Sequence, residues 1–149
     1  MIKKKIIIIF LALLLTNCGF VPIYSKNSNI NLSIEQITYA GDTELNNFLK
    51  TNLIQYKNEK VENKFYIEVE SSYEKIILTK DGTGEATNYE LKAEVIFIIK
   101  SNNRKIKFTE KKIINSMSDK FEEARYERSI KQSFASSISY KLITELVVN

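Results

Sequence analysis

The sequence predicts an α+β domain, with two helices packed on one face of a four-stranded, mostly antiparallel sheet in the order β-α-β-β-β-α. Three observations predict it. Four segments alternate apolar and polar residues, the period of a strand with one buried face. Two others repeat apolar residues at helical spacing, one after the first strand and one at the end of the chain. The 149 residues include one proline and four glycines, so few long loops intervene, and the three consecutive strands are expected to pair as antiparallel neighbours.

The chain opens on Lys3-Lys4-Lys5 and ten apolar residues, Ile6 to Leu15. A charged segment before a short apolar run is the layout of an export signal. Ten apolar residues fall short of the roughly 18 that span hydrocarbon as a helix. Cys18, the only cysteine, follows directly behind Leu15-Thr16-Asn17. A lone cysteine has no internal disulfide partner. Its position resembles the bacterial lipobox, where lipid is attached to the cysteine after cleavage, and Asn17 departs from the small residue usual there. Acyl chains such as palmitate supply about 0.8 kcal/mol per buried CH₂, so several on Cys18 make a stable anchor. Gly19 rather than aspartate after the cysteine points to the outer membrane. The expected organisation is 1–17 signal peptide, 18–29 lipidated tether and 30–149 a single domain.

Ile30, Leu32 and Ile34 alternate with polar residues as a first strand, broken at Gly41-Asp42-Thr43. Asp42 or Thr43 offers a helix cap, and Glu44 suits the first turn. Leu45, Phe48, Leu49, Leu53 and Tyr56 share one face, giving a helix near 43–57. Phe65, Ile67 and Val69 begin a second strand that reaches Leu78. Lys80 to Gly84 is a turn with two glycines. Tyr89, Leu91, Ala93, Val95, Phe97 and Ile99 form the clearest strand, and Ser101 to Arg104 a hairpin turn. Ile106 and Phe108 start the fourth strand, whose period slips between Glu110 and Ile113 as at a bulge. Asp119 caps the last helix, with Glu122 placed for a capping box. Ile130, Phe134, Ile138, Leu142 and Leu146 form its stripe, with Phe121 and Ala124 extending it backward. The small residues Ala135, Ser136, Ser137 and Ser139 flank the stripe and allow a close sheet.

Charge narrows the function. The formal net charge is +4, but three lysines belong to the leader. Without them 19 basic residues face 18 acidic ones, so a nucleic-acid partner is not expected. Histidine is absent, which removes histidine-based triads and metal sites. Asp81 and Glu85 beside Gly82 and Gly84 fit a solvated turn, and the glycines lack a phosphate loop's lysine and strand-to-helix setting. Glu122 and Glu123 beside Arg125 and Arg128 fit helix-surface pairs. No catalytic group, metal or cofactor is expected. The one charge concentration is Lys100, Arg104, Lys105, Lys107, Lys111 and Lys112. Lys105, Lys107 and Lys111 share a strand face and are candidate contacts to lipid phosphates. Lysines there also serve to discourage edge pairing.

Cys18-Gly19-Phe20-Val21-Pro22-Ile23-Tyr24 resembles the start of mature LPS-assembly lipoproteins, the LptE family, of alphaproteobacterial type. Asn88 to Leu91 with the hairpin after Ile99, and Ser116 to Arg125 entering a serine-rich helix, are similar to the family's middle and end. Ser25 stands where glycine is more usual. The resemblance implies a non-enzymatic outer-membrane lipoprotein, anchored on the periplasmic side. Its partners are then the β-barrel LptD, which it plugs and helps assemble, and lipopolysaccharide, which it binds. A periplasmic lipoprotein scaffold of another envelope complex is the alternative.

Overall fold

The computed structural model describes residues 31–148. The expected signal peptide 1–17 with Asn17, the expected lipidated tether 18–29 with Cys18, and Ile30 lie outside the described residues. The elements are β1 (Ser33–Gly41), α1 (Thr43–Leu53), a 3₁₀ turn (Ile54–Tyr56), β2 (Lys64–Lys80), β3 (Ala86–Ile99), β4 (Arg104–Asn115) and α2 (Lys120–Val148). This is the expected order. The sheet runs β1-β2-β3-β4. β1 pairs with β2 in parallel, and the other two pairings are antiparallel. A parallel pair needs a crossover, which α1 supplies.

Both helices cover the same face. Leu45, Leu49 and Leu53 from α1 meet Ile138 and Leu142 from α2 over Val69, Leu91, Val95 and Phe97, all fully buried. Each such side chain contributes roughly 1.5–3 kcal/mol. Phe97 and Phe108 meet edge to face, 6.1 Å between centroids. Opposite faces of β3 separate cleanly, with Leu91, Ala93, Val95, Phe97 and Ile99 inward and Glu90, Lys92 and Glu94 outward.

Four local expectations are corrected. Among the described residues the first strand begins at Ser33, after Asn31 and Leu32, and a register shift between Ile34 and Gln36 interrupts its alternation. The first helix tightens to 3₁₀ at Ile54, because Ile54 is exposed and no longer packs. The fourth strand has no bulge: pairing runs unbroken from Asn88↔Asn115 to Ile99↔Arg104. The apparent slip arises because Lys112, on the inward face, lies under the Tyr126 ring (5.7 Å) where no apolar packing is required. The irregularity falls in β2 instead, at Leu78. Finally, Phe121 and Ala124 are exposed, and Glu123, Glu127 and Lys131 turn toward the sheet in their place.

Candidate functional site

The outward face of the sheet holds the lysine row. Lys105, Lys107 and Lys111 stand on the edge strand β4 opposite Ile98, Ile96 and Lys92. All three are exposed. Lys107 pairs with Glu94 at 2.8 Å and Lys111 with Glu90 at 3.1 Å. Lys92 bridges Glu74 and Glu94, and Lys100 pairs with Glu68. The Lys107 ammonium holds the Glu94 carboxyl below its ordinary range. The row is thus part of a cross-strand charge ladder. Lys105 alone of the three has no carboxylate partner among the described residues.

A second polar set lies under the helices. Glu123 is buried and accepts from the Met117 backbone N–H (2.8 Å), from Lys75 (2.9 Å) and from Lys120 (3.2 Å). Those bonds, the backbone one foremost, outweigh burial and bring its carboxyl down to about 2. Lys75 also binds Glu127, which accepts from the Tyr73 hydroxyl. Burial first, then Glu127, pushes the Tyr73 phenol up. Burial works against the Lys75 ammonium, but Glu127 and Glu123 outweigh it and raise it. Lys131 is buried, 2.9 Å from Glu44 and 4.0 Å from the Tyr73 ring centre. These contacts bind the first half of α2 to β2 and to the cap of α1. Each carboxylate of this network faces a cation, and the Ser116 hydroxyl also donates to Glu123 at 3.3 Å.

Of the four residues expected to form helix-surface pairs, Glu123 turns inward and Arg128 reaches Glu44 instead. Glu122 pairs with Arg125 as expected for a surface pair. Asp81 does stand in a turn: its Oδ1 accepts from Thr83 N (2.8 Å), Thr83 Oγ1 (2.6 Å) and Glu85 N (3.0 Å). Among the described residues no three acidic side chains converge as a metal site would, and no helix is long and apolar enough to cross a membrane.

One feature escaped the sequence. Ile76, Ile77, Leu78 and Ile113 are exposed near the end of the sheet that closes at Asp81–Glu85. Phe121 and Tyr126, in the first turns of α2, are also exposed, and the Tyr126 ring lies over Lys112 of β4. The signal was present as three consecutive apolar residues at 76–78, where alternation should have placed a polar one.

The sequence matches no family model and no curated protein. Solved structures do share the fold. Rare lipoprotein B from Shewanella oneidensis is 13% identical with a TM-score of 0.52, over 74% of this chain and 92% of that one. Lipoprotein B from Nitrosomonas europaea is 13% identical with a TM-score of 0.54, over 80% and 87%. A minor lipoprotein from Acinetobacter baumannii is 15% identical with a TM-score of 0.51, over 74% and 94%. At such identities the likeness is one of architecture.

Proposed function

We propose that this chain is an outer-membrane lipoprotein of the LptE type, the subunit that plugs an LptD-type β-barrel, assists its assembly and binds lipopolysaccharide. It acts by binding, not catalysis. One coincidence supports this reading. The fold is shared with three lipoproteins of solved structure, and the same chain carries a leader followed by Cys18-Gly19-Phe20-Val21-Pro22-Ile23-Tyr24. Fold and opening motif are independent features, and the resemblance to the LptE family draws on both. The anchor is then an acylated Cys18 at the periplasmic side of the outer membrane, with Asn17 the residue before the cut.

Within this proposal the lysine row contacts lipid phosphates unequally. A phosphate at Lys107 or Lys111 displaces Glu94 or Glu90, while at Lys105 it displaces only water. The test is affinity capture of the chain from outer membranes, with mass measurement of its mature N-terminus. The expected result is a large co-purifying barrel and an acylated Cys18. Capture of peptidoglycan enzymes or secretion components without a barrel would instead establish the envelope-scaffold role.

A further inference from the structure

We infer that the free edge of β4 is a docking site for an extended, acidic segment of a partner protein, which joins the four-stranded sheet as a further strand. Among the described residues β4 packs only against β3 and α2. α2 lies on its inward face, where Ser137 and Lys141 both reach Glu110. The ladder shows which backbone groups are left over. The Ser116 N–H donates to the Thr87 carbonyl at 2.7 Å. That pair continues the unbroken register that starts at Asn88↔Asn115. Hydrogen-bonded pairs alternate along an antiparallel ladder, so the even-numbered residues of β4 are the ones bonded to β3. Lys105, Lys107, Thr109, Lys111, Ile113 and Asn115 therefore turn their N–H and C=O groups to the open side.

Such an edge is normally blunted by short length, a bulge, proline or a covering element. The opposite edge follows that rule, since β1 has nine residues and shifts register between Ile34 and Gln36. β4 has twelve residues, no proline and no bulge, and spans about 40 Å. Only its lysines guard it, and they guard it selectively. A second copy joined edge to edge runs antiparallel about a two-fold axis. Registers centred on residues 106–109 then set lysine against lysine among Lys105, Lys107 and Lys111, and a register centred on Glu110 sets that carboxylate against itself. Like charges directly opposite are destabilising. An acidic strand meets the reverse. The outward face of β4 carries three lysines and no carboxylate. Lys105 has no carboxylate partner among the described residues. The Lys107 and Lys111 ammoniums lie toward β3, on Glu94 and Glu90, clear of the open side. Each has three donors and accepts a second carboxylate. The fitting segment is thus acidic opposite Lys105, Lys107 and Lys111, and apolar on its other face, which continues Ile106, Phe108 and Ile114. This docking edge is independent of the lipopolysaccharide reading and survives its failure.

The experiment uses the full chain in zwitterionic nanodiscs and measures amide hydrogen exchange with synthetic peptides. One peptide alternates glutamate with valine, and a second alternates lysine with valine. The acidic peptide is also made N-methylated on alternate backbone nitrogens, in both phases. In the free chain the amides of Lys105, Lys107, Thr109, Lys111 and Ile113 should exchange faster than those of Ile106, Phe108 and Ile114. The acidic peptide should slow the first set, and the basic peptide should bind at least tenfold more weakly. One phase of N-methylation should abolish binding and the other should not. Thr109→Pro removes an N–H that β3 does not use, so the fold persists while binding falls at least tenfold. Lys105→Glu should weaken the acidic peptide several-fold, and keeps the test sharp if Thr109→Pro unfolds. Equal binding of both N-methylated forms means charge attraction without strand pairing, and overturns the inference. Equal binding of acidic and basic peptides overturns it too. Slow exchange of the first set in the free chain means an edge already covered, by a second copy where the protection rises with concentration, and also overturns it. No binding of any peptide leaves the lysines as simple edge protection and refutes the docking role.

Discussion

Gly41 and Glu123 are the two positions most tightly constrained by their surroundings. Gly41 has φ +99, and a Cβ there would lie 1.8 Å from the Ser71 carbonyl oxygen. It ends β1 where Asp42 must turn back, with the Asp42 N–H bonded to that same carbonyl. Gly41→Ala is therefore expected to cost more than the 1–2 kcal/mol or so of left-handed strain alone. Gly82→Ala, with nothing within 4 Å, should be near neutral. Urea denaturation of the pair checks this, and equal costs would refute it. Glu123 sets the acid limit. Its carboxyl is held at about 2 against an ordinary 4.5, so the fold favours the charged form. That contribution is full above about pH 4.5 and is lost as pH falls toward 2. Glu123→Gln should cost about 2 kcal/mol at pH 7, the worth of a charge-assisted buried bond, with the gap closing below pH 3. Parallel stability curves for the two proteins across that range would remove Glu123 from this role.

At the scale of elements, the long helix is two different structures end to end. From Ile130 onward its apolar stripe drives it onto the sheet, and Phe134, Ala135, Ile138, Leu142 and Leu146 are buried. Before that it is held by Glu123 and Glu127 through Lys75 and Tyr73, with Lys131 at the junction reaching Glu44. The second half was legible in the sequence, because hydrophobic period is a direct record of burial. The first half was not. Inward-facing charges carry no period of their own, and extending the apolar stripe back to Phe121 followed a rule that the Glu123 network overrides. The same logic explains β4, where inward Lys112 mimicked a bulge. Elements resting on apolar alternation, such as Leu91 to Ile99, were placed to within a few residues. The lysine row was also legible as a shared face, but its neutralisation was not, since that depends on which strand lies beside it. The helix halves should differ measurably. Leu142→Ala is expected to cost about 2–5 kcal/mol through the cavity it leaves. Native-state hydrogen exchange should be faster over 121–129 than over 134–146, because exposed turns held by polar contacts open more readily. Uniform protection along the helix would contradict this division.

For the whole molecule, the decisive quantity is how charge is distributed and not its sum. Glutamates and lysines interleave across the outward face, so the row on β4 is no free cationic patch. An exposed pair of this kind is worth about 0.2–1 kcal/mol, and a phosphate that replaces the carboxylate must first recover that amount. Lys105 escapes the cost. If the chain binds lipopolysaccharide as proposed, Lys105→Ser should weaken binding more than Lys107→Ser or Lys111→Ser, by a few-fold. The two paired variants have a second signature. Each leaves a glutamate unpaired on the face that meets an anionic ligand, so their loss of affinity should shrink when salt screens the repulsion. For Lys105→Ser the removed interaction is attraction itself, so the wild-type advantage should also fall with salt, but from a larger starting value. Titration of lipopolysaccharide at 50 mM and 500 mM salt distinguishes these cases. Three equal losses would mean that the glutamates do not restrain their lysines in solution. No loss in any variant would return the row to protecting the edge of β4.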